Sequence, residues 1–146
     1  MTNAIVVNTI TGAVSEYSNF AFNSITPAHA GNAAGLYALG GDLDVAAPIV
    51  AIVTTGKTQW GSSLLKFIAP IYFALKGSGT SSLTVIGEAA SYNYPFAVSS
   101  TGESRAIPGK GIRESYIALT YSNDDGADFW LDSMEVSTNQ SKTRRI

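Results

Sequence analysis

The residues of this chain that could do chemistry are few and widely spaced. Gly109-Lys110-Gly111 carries the Gly-Lys pair of a phosphate loop. That loop also needs a glycine five positions before the pair and a Ser or Thr after the lysine. Those positions hold Ser104 and Gly111, so the expectation is an ordinary loop with a solvated lysine. Asn123-Asp124-Asp125-Gly126, with Asp132 downstream, overlays part of a calcium loop. Its first ligand position falls on Tyr121 and its last on Asp132 instead of Glu, and the flanking segments read as strands. A tight turn is expected there, and Asp42 and Asp44 after Gly40-Gly41 are read the same way. His29 is the sole histidine, set among alanines with no Gly-x-Ser-x-Gly elbow to accompany it. Glu88, Glu103 and Glu114 offer carboxylates, but nothing in their spacing singles out an acid–base pair. No catalytic residue, metal site or cofactor is expected.

Aromatic side chains are the more serious candidates. Trp60, Tyr92, Tyr94 and Trp130 have the character of a sugar-stacking platform, and equally that of a core or a subunit interface. The segment Phe129 to Val136, FWLDSMEV, resembles the last strand of carbohydrate-binding jelly rolls.

Composition narrows the classes. Only 14% of the 146 residues are charged, against a usual share of roughly 25%. With 45% hydrophobic residues the chain is no candidate for disorder. Its surface is left to Ser, Thr, Asn and Gly, which suits β-proteins that live assembled with neighbours. The net charge of −2 lacks the clustered cations of a nucleic-acid footprint. Lys142, Arg144 and Arg145 form the one basic cluster, expected to find carboxylates on a neighbouring subunit. Without cysteine there is no disulfide, zinc ribbon, thiol catalysis or iron–sulfur cluster. No apolar run approaches the ~18 residues of a membrane helix, so membrane insertion is not expected. The opening MTNAIVVNTITGAV has no basic stretch before its apolar run, which predicts a chain made and folded in the cytosol.

The elements that would position these residues read as strands. The strongest signal is Lys66 to Glu88, where Phe67, Ala69, Ile71, Phe73 and Leu75 fall at every second position. A Gly-Ser-Gly-Thr-Ser-Ser break follows, then Leu83 and Val85 resume the alternation, which predicts an antiparallel hairpin with a long loop. Ala4 to Tyr17 predicts a first hairpin turning at Ile10-Thr11-Gly12. Further strands are expected at Leu36 to Leu39, Pro48 to Thr55, Ser91 to Val98, Tyr116 to Tyr121 and Phe129 to Val136. Pro95 hints at an edge. Residues 24–35 hold small residues with Pro27, Gly31 and Gly35, and read as a loop or extended arm. Residues 99–111 form a long Ser/Gly loop, and 137–146 a polar tail. About nine short strands and no amphipathic helix predict an all-β fold. The expected architecture is one antiparallel β-sandwich or jelly-roll-like domain over 1–136, with extended arms. Its core would contain Phe67, Ile71, Phe73, Leu75, Leu83, Val85, Ile117, Leu119 and Leu131.

Taken whole, the chain resembles small structural proteins encoded in the virion gene clusters of tailed bacteriophages. The resemblance lies in Asn3-Ala4-Ile5-Val6-Val7-Asn8 with Thr11-Gly12, in Gly35-Leu36-Tyr37-Ala38-Leu39-Gly40-Gly41 and in Ser141-Lys142-Thr143-Arg144-Arg145. It implies a non-enzymatic β-domain in many copies, a homo-oligomer bound to other virion proteins and located in the virion. A tail-tip or baseplate component is the first expectation and a capsid decoration protein its variant. A module attaching to cell-surface glycan is the alternative.

Overall fold

The computed structural model describes residues 3–18, 20–41, 43–44 and 46–140. Fourteen strands occur among them and no helix, so the protein is all-β with antiparallel pairing throughout. The chain divides into two compact units, 1–41 and 42–146.

The first unit opens with the expected hairpin. Strands β1 (Ala4–Val7) and β2 (Val14–Tyr17) pair in the register Ala4↔Tyr17 to Val7↔Val14. The Asn8 side chain closes the turn by accepting the Ile10 and Thr11 N–H groups. Three short strands follow: β3 (Ser24–Ile25), β4 (His29–Asn32) and β5 (Gly35–Ala38) form an antiparallel meander. Residues 24–35, read from sequence as a loop or arm, are therefore paired backbone. The Asn32 carboxamide accepts the Ala34 and Gly35 N–H groups at the second turn, a local signal that small-residue composition concealed. Tyr17, Phe20, Phe22 and Tyr37 touch in sequence, with ring centroids 4.8–5.8 Å apart. Yet Ala30 is the one buried hydrophobic among this unit's described residues.

The second unit holds β6 (Leu43–Asp44) and β7 (Ala47–Pro48), which pair with each other, then β8 (Ile52–Thr54), β9 (Lys66–Gly77), β10 (Thr80–Ile86), β11 (Ser91–Ala97), β12 (Glu103–Ala106), β13 (Ala118–Ser122) and β14 (Phe129–Gln140). One sheet has the order β11-β10-β13-β8 and another β12-β9-β14. Both send side chains into a single buried cluster: Ile68, Ile71, Phe73 and Leu75 from one, Leu83, Val85, Phe96, Leu119 and Tyr121 from the other. Phe73 stacks on Phe96 at 5.1 Å and 10°, and Tyr121 meets both.

Three expectations need correction. First, β9 and β10 are not a hairpin, because they belong to different sheets. The Gly/Ser break carries the chain across from one to the other. A Cβ on Gly77 would lie 2.6 Å from the Asp128 carbonyl oxygen, and one on Gly79 (φ 81°) would run into the Asp125 carboxylate. Only glycine lets the crossing pass so close to the 123–128 segment. Second, the alternation of β9 changes phase. Ile71, Phe73 and Leu75 are buried, but further back it is Lys66 and Ile68 that point inward, and Phe67 is only half-buried. Ala69 and Pro70 together oppose the single residue Ser137, a bulge sited where proline has no N–H to give the ladder. Third, residues 137–140, placed in a polar tail from sequence, complete β14. Thr138, Asn139 and Gln140 pair with Ile68, Phe67 and Lys66.

The remaining core residues fare as expected: Leu83, Val85, Ile117 and Leu119 are buried, and Leu131 packs against the cluster half-covered.

Candidate functional site

The four aromatics proposed from sequence do not form one surface. Trp60 follows Gln59 in the turn before β9, with backbone φ 47°, a left-handed conformation uncommon for a bulky residue. Its indole N–H donates to the Ile117 carbonyl at 2.8 Å and its ring packs on the core, so its role is to hold the turn down. Tyr92 and Tyr94 sit opposite Val85 and Leu83 and share their inward face. The Gly109–Gly111 backbone passes close to both, leaving Tyr92 47% exposed: a Cβ at Gly111 would be 3.3 Å from the Tyr92 ring, and one at Gly109 3.4 Å from the Tyr94 hydroxyl. The glycines beside Lys110 thus serve aromatic packing rather than phosphate, and Lys110 Nζ lies 5.7 Å over the Phe67 ring. Trp130 is different. It stands opposite Lys76 on β14 and is 72% exposed.

Three of the acidic candidates, Asp124, Asp125 and Glu114, are engaged as structural acceptors. Asp124 takes a hydrogen bond from the Ser82 hydroxyl at 2.8 Å, and Asp125 takes one from the Thr80 N–H at 2.8 Å. Asp132 is the extra residue of a bulge in β14, between the pairs Leu131↔Leu75 and Ser133↔Ala74. Glu114 accepts the N–H groups of Glu88 and Ala89 and so closes the turn after β10. Among the described residues no group of three or more His, Cys, Asp or Glu side chains is placed to hold a metal. His29 lies exposed on β4, and its three hydrogen bonds with Thr26 use its backbone. Lys142, Arg144 and Arg145 lie outside the described residues, as does Asp42.

Two surface features were not visible in the sequence. One is a shallow dish of about 520 Å³ on the outward side of the β12-β9-β14 sheet. Tyr72, Phe73, Ala74, Gly102, Glu103, Ser133 and Glu135 line it. Cross-strand register aligns Arg105, Tyr72 and Glu135 in one row and Glu103, Ala74 and Ser133 in the next. Small residues flanked by large ones on neighbouring strands leave the hollow. Two carboxylates, a hydroxyl and a phenol ring equip it to hydrogen-bond a polyol, with no histidine or cysteine in the lining.

The other is the extent of apolar exposure. In the first unit Ile10 is 93% exposed and Leu36 75%, with Ile5, Val7 and Val14 also open. Cross-strand pairing puts Val7 and Val14 on one side of the β1–β2 hairpin with Ile5. In the second unit the run Ile49, Val50, Ile52 and Val53 was expected as a strand of continuous apolar character. It instead forms an exposed margin ending in the edge strand β8. No family model, curated protein or solved structure matches this chain.

Proposed function

We propose that the protein is a non-enzymatic structural subunit of a bacteriophage virion, present in many copies and bound to other virion proteins. The tail tip or baseplate is the first location and capsid decoration the variant. The second unit is read as a β-sandwich of jelly-roll type, its two sheets enclosing the shared cluster. The observation that carries the reading is the exposed apolar surface of short, open-edged strands. A lone soluble domain rarely leaves so much uncovered, and neighbouring subunits are the natural cover. The resemblance of 3–12, 35–41 and 141–145 to virion proteins supplies the setting. The net charge of −2 favours protein partners over nucleic acid.

Proteomic measurement of copy number in purified particles, with antibody labelling to locate the protein, tests the proposal. Particles free of the protein would end it. The dish favours a second reading, attachment to cell-surface glycan. A glycan-binding screen of wild type beside Tyr72→Ala and Trp130→Ala addresses it, and binding that survives both substitutions would rule out this face.

A further inference from the structure

The three-stranded sheet is open along one full side. Strand β14 runs from Phe129 to Gln140, pairs only with β9, and leaves its other edge without a strand among the described residues. Natural sheets blunt such an edge with lysine, proline, bulges or brevity, and the one extra residue on this strand, Asp132, precedes the stretch 133–140. This strand is twelve residues long and contains neither lysine nor proline. Its inward side chains, Leu131, Met134 and Val136, pack on the core yet remain only half-buried, because the sheet stops there. The apolar layer ends at this margin unfinished. The opposite sheet's two edge strands offer less to pair: β8 spans only three residues, and β11 spans seven with Pro95 among them.

We infer that β14 is the contact with a second copy of this chain, joined antiparallel across a two-fold axis through Val136. The inference rests on the multi-copy reading above and names its interface. Pairing chemistry and overlap length together select the register, since two-folds at Ser137 or Thr138 also oppose no like charges but pair fewer residues up to Gln140. Antiparallel partners share a face, so inward residues must meet inward ones. A two-fold at Glu135 would set that carboxylate against its own copy. A two-fold at Met134 would set Asp132 against Val136. At Val136, Met134 meets Thr138 and both face the core. Glu135 meets Ser137 and Ser133 meets Asn139 on the outer face, and Asp132 meets Gln140. No like charges are opposed, and the stretch after the Asp132 bulge is used up to Gln140, the last described residue. The two three-stranded sheets become one of six, and the Val136 and Met134 side chains of both copies complete the apolar layer. This is an isologous contact, which closes as a dimer and leaves β8 and the first unit for other neighbours.

The register makes the test specific. Ser137→Glu, on the solvent face, sets two glutamates opposite each other at two symmetric places. Like charges so opposed cost a few tenths to about 1 kcal/mol per pair, so the dimer Kd of the full chain is expected to rise about tenfold by sedimentation. Thermal unfolding of the dilute protein should stay unchanged. Adding Glu135→Lys to Ser137→Glu replaces each repulsion by an opposite-charge pair and restores the wild-type Kd. Hydrogen exchange should show concentration-dependent protection at 133–139 in wild type and in the double variant. A wild type that stays monomeric at every concentration overturns the inference. So does a dimer indifferent to Ser137→Glu, which would mean another surface, or a defect that Glu135→Lys does not rescue. If the charge swap fails while the protein is still found in purified particles, this contact is wrong and the subunit reading stands.

Discussion

Asn123 shows how one side chain can replace missing strand pairing. It is buried, and its carboxamide oxygen accepts the Ala51 N–H at 2.5 Å while its nitrogen donates to the Ala127 carbonyl at 3.1 Å. Backbone between β7 and β8 is thereby fastened to the turn after β13. Asn123→Ala should cost about 2–3 kcal/mol in denaturant titration, since it strands buried backbone groups. Phe73, stacked on Phe96 and touching Tyr121, should cost ~3–5 kcal/mol on replacement by alanine, the range for emptying a buried aromatic site. Lys66 and Tyr121 make a paired prediction in alkali. Lys66 has no exposed surface, its ammonium donates to the Ser115 carbonyl at 2.9 Å, and burial lowers its pKa. Over the window from that lowered pKa to the ordinary lysine value the unfolded chain binds more protons. Stability from this group therefore rises with pH. Burial chiefly raises the Tyr121 pKa, with Asp124 and Asp125 adding to the effect and the Ser81 hydrogen bond opposing it. Above the ordinary tyrosine value the folded chain holds the extra proton, so this contribution falls with pH. Lys66→Met should abolish the rise and Tyr121→Phe the fall, as read from urea midpoints across the alkaline range.

At the scale of elements, the crossing from β9 to β10 is the least forgiving feature. It is tied by the Thr80 N–H to Asp125, by the Ser82 hydroxyl to Asp124 and by the Val98 N–H to the Gly79 carbonyl. Gly79→Ala adds a side chain at positive φ against a carboxylate already in use, and should cost about 1–3 kcal/mol in thermal unfolding. Asp125→Ala should weaken the same crossing without the clash, by about 1 kcal/mol. Strand β14 sets a second test. Ending the chain after Gln140 keeps the strand whole and serves as the reference. Ending it after Val136 removes the partners of Ile68, Phe67 and Lys66 and opens the Lys66 site, so the midpoint should drop.

At the scale of the molecule, the two units differ sharply in what holds them. The second encloses a cluster of twelve buried residues, whereas the first buries one hydrophobic side chain among its described residues. Local opening should follow that difference. Amides of β1 to β5 are expected to exchange hydrogen much faster than those of β9, β10 and β13 in the dilute protein. Equal protection of both units in the dilute protein would show that the first needs no neighbour.

The all-β class, the first hairpin and most of the core were legible because they depend on alternation, which is local. Ile71, Phe73 and Leu75 followed by Leu83 and Val85 had to share an apolar layer whatever their partners. Which strand each would pair with was not local. A hairpin and a crossing between sheets bury the same side chains, and the choice fell to carboxylates at 124–125 that wait more than forty residues downstream. Lys66 was hidden for a related reason, since a proline bulge reversed the phase of a run whose spacing looked unbroken. The placement of the aromatics was not legible either, because tyrosine and tryptophan spacing says nothing of which rings the rest of the chain will reach: Trp60 packs on the core, while Tyr92 and Trp130 stay open. The dish formed where three strands set Glu103, Ala74 and Ser133 side by side, with Gly102 just before β12. Sequence determined which residues prefer to be covered; tertiary structure decided which strand covers them, because pairing partners are chosen by contacts far apart in the chain.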